Sequence, residues 1–350
     1  MRRHTKRSSR RFLSEYRRDG THVQSSGGAL TTQADAPSRR NRRPGKARIW
    51  LQVLLTLFAF GYLIHGSDLR ALEAAFHKAP IWSVPCATLA LCAVMAAGTL
   101  RWRLLLVAYG AQVSIPLATL FRLQLIGLFY NMLPGAVGGD VLRGIVSRRA
   151  FGTAGMSAGL VVVLVERIFG LIALMLLVVG VLLVHPIRML QLSPWVFTLG
   201  ALASLGTLIA IAVGRRYASH SNGRLAAYAE RLPELTNPSA FVLAIGVSIM
   251  NQALVGVMGH LTIWPLAQQV SLLDSLALSP LAFAAIFFPL TVAGAGTRDA
   301  AMVALYGLLD VPRETVLSAS LEVLLAYGLV AAAGGVLSLA MPLGDESTTA

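Results

Sequence analysis

Asp140, Arg143, Glu166, Arg298 and Glu322 are ionisable residues set within or beside long apolar stretches. A charge in a membrane helix costs about 3 kcal/mol or more, so such residues are expected to face protein or water and to have partners. Asp140 lies one helical turn before Arg143 and directly follows Gly138 and Gly139. Glu166 and Arg167 fall in the next apolar run, Arg298 adjoins Asp299, and Glu322 lies in the last run. A Gly-rich turn that opens a helix presents backbone N–H groups and a positive dipole, which suits a phosphate. A guanidinium adds bidentate contacts. The chemistry expected is non-covalent capture of an anionic lipid headgroup, with Arg143 and Arg298 on one phosphate and Gly138 and Gly139 allowing close backbone approach. Glu166 and Glu322 would hold the arginines between binding events. Two plainer roles stay open: Arg143–Glu166 and Arg298–Glu322 pairs that only pin neighbouring segments together, and Arg167 snorkelling to an interface.

These residues recur in order. PGAVGGDVLR runs from Pro134 to Arg143 and PLTVAGAGTR from Pro289 to Arg298, each with Gly five residues after Pro (Gly139, Gly294) and Arg nine after it. Glu166 follows Arg143 by 23 residues and Glu322 follows Arg298 by 24. Phe129–Tyr130 and Phe287–Phe288 precede the two prolines. Pro134, Pro289, Gly294 and Gly296 break apolar runs, and broken backbone survives at membrane depth only when buried in protein or lining a cavity.

The elements that must position them are helices in lipid. With 55% hydrophobic and 13% charged residues in 350, the chain is too apolar for an ordinary soluble domain. Apolar stretches lie at about 49–65, 81–100, 117–134, 158–184, 195–213, 239–265, 276–293 and 315–341, most near the roughly 20 residues that a crossing requires. Eight crossings with a cytosolic N-terminus put three basic residues inside and eleven outside, against the positive-inside rule. If 117–147 dips in and returns, and 276–308 does so from the far side, the ratio becomes nine to five. Charge favours the first hairpin; a second segment that crossed would raise the inside count further. The expected fold is therefore all-α: six transmembrane helices and two re-entrant hairpins in an inverted repeat, an architecture that places sites near the midplane.

Three domains are expected: a basic cytosolic tail at 1–48, a transmembrane domain at 49–342, and a short C-terminal tail at 343–350. The tail holds 14 basic residues against three acids, with too few large apolar residues to fold, and suits a topology anchor on anionic headgroups. Nearly fifty polar residues precede the first apolar run, so an uncleaved first span in a bacterial inner (plasma) membrane is expected. GRLAAYAERL, within 214–238, suits an interfacial helix.

Several classes find no support. Outside the tail, 16 basic and 13 acidic residues nearly balance, so no nucleic-acid partner is expected. Cys86 and Cys92 fall on nearly opposite sides of one helix and are read as packing residues. His65, His77, His185 and His260 lack metal-ligand spacing. Trp50, Trp82, Trp102, Trp195 and Trp264 fall near span ends, as an interfacial belt requires. With no nucleophile elbow or Walker loop, neither an enzyme nor a cofactor is expected, and transport would be passive or ion-coupled.

RWRLLL from Arg101, FYNMLPGAVGGDVLR from Phe129, VERIFGL from Val165 and FFPLTVAGAGTRDA from Phe287 resemble the lysylphosphatidylglycerol synthase transmembrane-region family, also described as flippase-like domains. The resemblance spans roughly 49–342, and LPG-x-x-GGD-x-x-R is its most specific string. It implies a lipid translocator whose cargo is a phospholipid or a polyprenyl-phosphate-linked lipid, with Asp140, Arg143, Glu166, Arg298 and Glu322 as the positions carried over. The soluble aminoacyl-transferase domain of the fused synthases is not in this sequence, so synthase activity is not implied. The alternatives are a scaffold subunit for a membrane glycosyltransferase or lipid-modifying enzyme, and an enzyme acting on the lipid phosphate.

Overall fold

The computed structural model describes residues 68–111, 114–133, 143–147, 150–151, 155–186, 198–200, 234–285 and 296–340, with single positions within 54–65 and 202–206. The chain divides into Met1–Arg43 and Pro44–Ala350, and every described residue belongs to the second unit. The expected tail at 1–48, the interfacial run from 214, the C-terminal tail at 343–350 and most of the stretches 49–65 and 195–213 lie outside the described residues. So do Pro134, Gly138, Gly139, Asp140, Pro289 and Gly294.

The described elements are helices, with no strand among them. In chain order they are α1 (Leu69–Lys78), α2 (Ser83–Ala108), α3 (Leu117–Asn131), α4 (Gly155–Val184), α5 (Pro238–Ile263), α6 (Leu272–Ala284), α7 (Thr297–Gly307) and α8 (Arg313–Ala340). Residues 143–147 add a short helical stretch. Local chemistry explains several starts. Asn237 caps α5 by accepting from the Ala240 N–H, and Pro238 takes the first position, where its missing donor costs nothing. Ser271 and Asp274 form a reciprocal capping box at the head of α6.

Four helices, α2, α4, α5 and α8, are long and apolar enough to cross a membrane. Their 26 to 30 residues give roughly 39–45 Å of helix against a hydrocarbon core of about 30 Å. By contrast α3, α6 and α7 have 15, 13 and 11 residues, or roughly 16–23 Å, too short to cross alone. Leu89, Leu183, Val242, Val336 and Leu339 on the long helices are exposed, which a lipid surrounding accepts and water does not.

Helix directions follow from the cross-links. The Thr236 and Asn237 N–H groups donate to the Ala108 carbonyl at 2.8 and 3.1 Å, so the end of α2 meets the start of α5 and the two run antiparallel. Asn251 Nδ2 on α5 donates to the Val94 carbonyl on α2 at 2.7 Å. Gln252 Nε2 donates to the Gly170 carbonyl on α4 at 2.8 Å. Glu166 of α4 meets Arg101 of α2, whereas His185, just after α4, meets Asp274 beyond the end of α5, so α4 runs with α5. α8 runs with α2: Glu322 adjoins Ser83, and Gly334 adjoins Leu125 of α3, next to Gln124, which touches Gly98 of α2.

Where backbones come together, small residues allow it, as membrane helices require in the absence of a hydrophobic drive between them. A Cβ on Gly256 would stand 2.7 Å from the Leu276 Cα, and one on Gly334 would meet the Leu125 carbonyl. The obstacle at Gly334 is backbone and cannot rotate away. Gly334→Ala is expected to cost about 1–3 kcal/mol through overpacking at the α3–α8 contact. Thermal unfolding in detergent micelles checks this; an unchanged midpoint would show that α3 moves freely relative to α8.

Two expectations need correction here. The second apolar stretch, read as 81–100, continues as helix to Ala108, so Arg101 and Arg103 belong to the span and not to a loop. Trp102 is fully buried and is no part of an interfacial belt, whereas Trp82 and Trp264 are partly exposed at the start of α2 and the end of α5. Cys86 and Cys92 are free thiols, both partly buried in α2. The amphipathic helix α1, none of whose residues is buried, was not foreseen.

Candidate functional site

The first charge cluster gathers on the half of α2 that ends at Ala108. Apolar α4 carries Glu166 into the interior with its side chain only 4% exposed, where an unpaired carboxylate would be prohibitively costly. Arg143 answers it from the helical stretch 143–147, with Nη1 donating to both carboxylate oxygens at 3.0 and 3.1 Å. Arg101 answers from α2, with Nη2 donating to Oε1 at 2.8 Å. Trp102 steadies the arrangement twice: the Arg143 guanidinium lies 5.4 Å from its ring centre, a cation–π distance, and its indole N–H donates to Ser147 Oγ at 3.0 Å. The stretch carrying Arg143 is thus fastened to the residue beside Arg101.

Within the described part of this cluster the charges do not balance. Among the described residues, two guanidiniums share one carboxylate, leaving one positive charge in excess. The arginine side chains are 13% and 15% exposed, and Arg101 Nε is buried without a hydrogen-bond partner. A partly enclosed cationic pair with unspent donor capacity can accept an oxyanion. Arg167, the neighbour of Glu166, is exposed on the outer side of α4.

The second cluster is built on α7 and α8 and is closed. Gly296 adopts φ +92° at the head of α7, a backbone state that side chains with a Cβ rarely accept. Its N–H donates to Asp299 Oδ2 at 2.8 Å. The other Asp299 oxygen receives Arg298 Nε at 2.9 Å and Nη2 at 2.6 Å, and also the Ser320 hydroxyl. Arg298 Nη2 reaches the Ser320 carbonyl and hydroxyl oxygens at 3.4 and 3.3 Å, and its guanidinium lies 5.3 Å from the Phe283 ring centre. Arg298 is 1% exposed, and its one charge is matched by one carboxylate.

The expected partner of Arg298 is therefore corrected: Asp299 holds it, and no ion pair joins it to Glu322. Asp299 wins because the Gly296 turn aims its carboxylate at the guanidinium from the neighbouring residue. The expectation that Arg143 and Arg298 share one headgroup is corrected as well. Arg101, beside Arg143, and Ser83, beside Glu322, stand roughly 27 Å apart along α2 at about 1.5 Å per residue. The two clusters sit toward opposite ends of that helix.

Arg101 is the member that sequence reasoning did not select, although its RWR context marks an arginine inside a helical apolar run. A further polar group links helix ends: His185 Nε2 lies 3.0 Å from Asp274 Oδ1 and His260 Nδ1 3.2 Å from Ser275 Oγ. Among the described residues no group of three or more His, Cys, Asp or Glu side chains could hold a metal ion.

A family model described as lysylphosphatidylglycerol synthase TM region matches residues 49–335. No curated protein was found to be similar to the chain.

Proposed function

The chain belongs to the lysylphosphatidylglycerol synthase TM-region family, and we propose that this multi-pass membrane protein translocates a phosphate-bearing lipid between leaflets, holding its headgroup at Arg101 and Arg143. The observation that carries the reading is the pair of guanidiniums sharing the single carboxylate of Glu166. An arriving phosphate takes the place that a second carboxylate would fill, and charge-assisted hydrogen bonds make the exchange favourable. Gly138, Gly139 and Asp140 stand immediately before Arg143 in sequence and complete the headgroup contact in this reading. Arg298, Asp299 and Gly296 serve as the fixed structural counterpart.

The architecture we propose is an inverted repeat. α2 and α5 are equal in length and antiparallel. The short elements, α3 with 143–147 and α6 with α7, follow them, and α4 and α8 close each half. The short elements then act as re-entrant hairpins, with the N-terminus cytosolic in an inner membrane. Translocation proceeds by alternating exposure of the Arg101–Arg143 pair, and no covalent step is part of it.

Reconstitution in liposomes with trace fluorescent phosphatidylglycerol or phosphatidylcholine tests the reading. The anionic lipid is expected to cross faster than the zwitterionic one by about tenfold, the equivalent of roughly 1.4 kcal/mol of differential headgroup interaction. Equal rates for the two lipids would contradict capture by an excess positive charge.

A further inference from the structure

Glu322 has no role in the site described above, yet it is the most anomalous side chain in the interior. It is 1% exposed, and neither of its carboxyl oxygens has a hydrogen-bond partner. Ser318 lies one turn earlier on the same face of α8; it is fully buried, and its hydroxyl also lacks a partner. Ser83, in the first turn of α2, adjoins the carboxyl group, but its own proton goes to the Pro80 carbonyl at 2.8 Å. Two orphaned polar groups thus share one buried patch at the start of α2.

Among the described residues the cations nearest to it are engaged elsewhere, Arg313 at the head of α8 included. On α7, Arg298 is neutralised by Asp299. Arg101 and Arg103 lie far along α2, and Arg122 of α3 has interactions of its own. The ionisable groups of α1, which are Arg70, Glu73, His77 and Lys78, belong to a helix with no buried residue, and α5 offers only His260, which faces Ser275. Tyr327 lies on α8 itself and packs on Phe283. An ionised carboxylate left without hydrogen bonds in such a place is among the costliest groups a fold can bury. A neutral carboxylic acid is a far cheaper occupant, and it can give its proton to the Ser318 or Ser83 oxygen.

We propose that Glu322 is a proton-exchange site through which lipid translocation is coupled to a proton. The inference rests on the lipid-translocation reading. The group carries its proton as a carboxylic acid while buried, and releases it when a rearrangement of α8 against α2 exposes the carboxyl to water. Only the O–H bond forms and breaks.

The full-length chain in liposomes with trace fluorescent phosphatidylglycerol, under an imposed gradient of about one pH unit, provides the test. One-to-one coupling shifts the steady-state ratio of label between leaflets by up to about tenfold, and with Glu322→Gln the ratio stays where it is without a gradient. Lipid that equilibrates in the wild type with an unshifted ratio would overturn the coupling while leaving the translocation reading intact. A shift that follows a sodium gradient instead would overturn the proton. Infrared spectroscopy reads the site independently of lipid movement: at neutral pH the wild type shows the carbonyl stretch of a protonated carboxylic acid, and Glu322→Gln loses it. Absence of that band from the wild type would overturn the assignment even if lipid moves, and absence of any lipid movement would overturn the translocation reading and the coupling with it.

Discussion

Replacing Glu166 by Gln is expected to destabilise the protein by about 3–5 kcal/mol, because it strips the only described counter-charge from two enclosed guanidiniums. The shapes of Glu and Gln are nearly the same, so the buried cluster that contains Trp102, Val165 and Phe169 is kept and the loss is electrostatic. Arg101 and Arg143 would then repel each other across a site that holds them only 13% and 15% exposed. Thermal unfolding in detergent reads the effect. Added inorganic phosphate is expected to recover part of the lost stability by supplying the missing negative charge, as any ligand that binds the native state does. A variant as stable as the wild type would mean that Glu166 does not balance these arginines.

Asp299→Asn should cost a similar amount, about 3–5 kcal/mol, by leaving Arg298 buried beside no negative charge. The two substitutions are expected to differ in their response to phosphate. Asn can still accept from the Gly296 N–H, so the head of α7 remains capped and the deficit isolates the charge. At 1% exposure, Arg298 is closed to an added anion, and phosphate should not restore stability. Rescue of Asp299→Asn by phosphate would show that the second cluster is open as well, and would restore a symmetric role for the two arginines.

The contrast between the clusters explains what could be read from the residues alone. Arg143 and Glu166 were legible because each is a charge stranded in apolar sequence, and few partners are available at helical reach. The long spans were legible from apolar length alone. Arg101 was hidden by the hydropathy boundary at residue 100, beyond which the helix continues to Ala108 and meets Glu166. The partner of Arg298 was misread because adjacent residues on a helix do not normally face each other; here the Gly296 N–H holds one oxygen of the Asp299 carboxylate and the long Arg298 side chain folds back to the other. The likeness of PGAVGGDVLR to PLTVAGAGTR encouraged one further error. Matching Pro–Gly–Arg strings suggested one shared site, whereas Arg143 and Arg298 stand in separate clusters with separate carboxylates. α1 was missed because LRALEAAFHK is too short and too mixed in polarity to stand out.

A cluster in which two described guanidiniums share one carboxylate can accept a phosphate, a site with matched charges can fasten α7 to α8, and a buried carboxyl group without hydrogen bonds can exchange a proton. The first cluster draws Arg101 from α2, the second draws Ser320 from α8, and Glu322 sits where α8 packs on α2. A change in how those helices meet would reach each of them at once.

The most direct test of headgroup capture at the first cluster is the initial rate at which the reconstituted protein moves fluorescent phosphatidylglycerol, compared between wild type and Arg143→Ala in the same liposomes. Losing a charge-assisted phosphate contact of about 1.5–3 kcal/mol predicts a rate lower by roughly 10- to 100-fold. The folded fraction should be retained, since Glu166 keeps Arg101. An Arg143→Ala protein that is folded and moves the lipid at the wild-type rate would contradict the account.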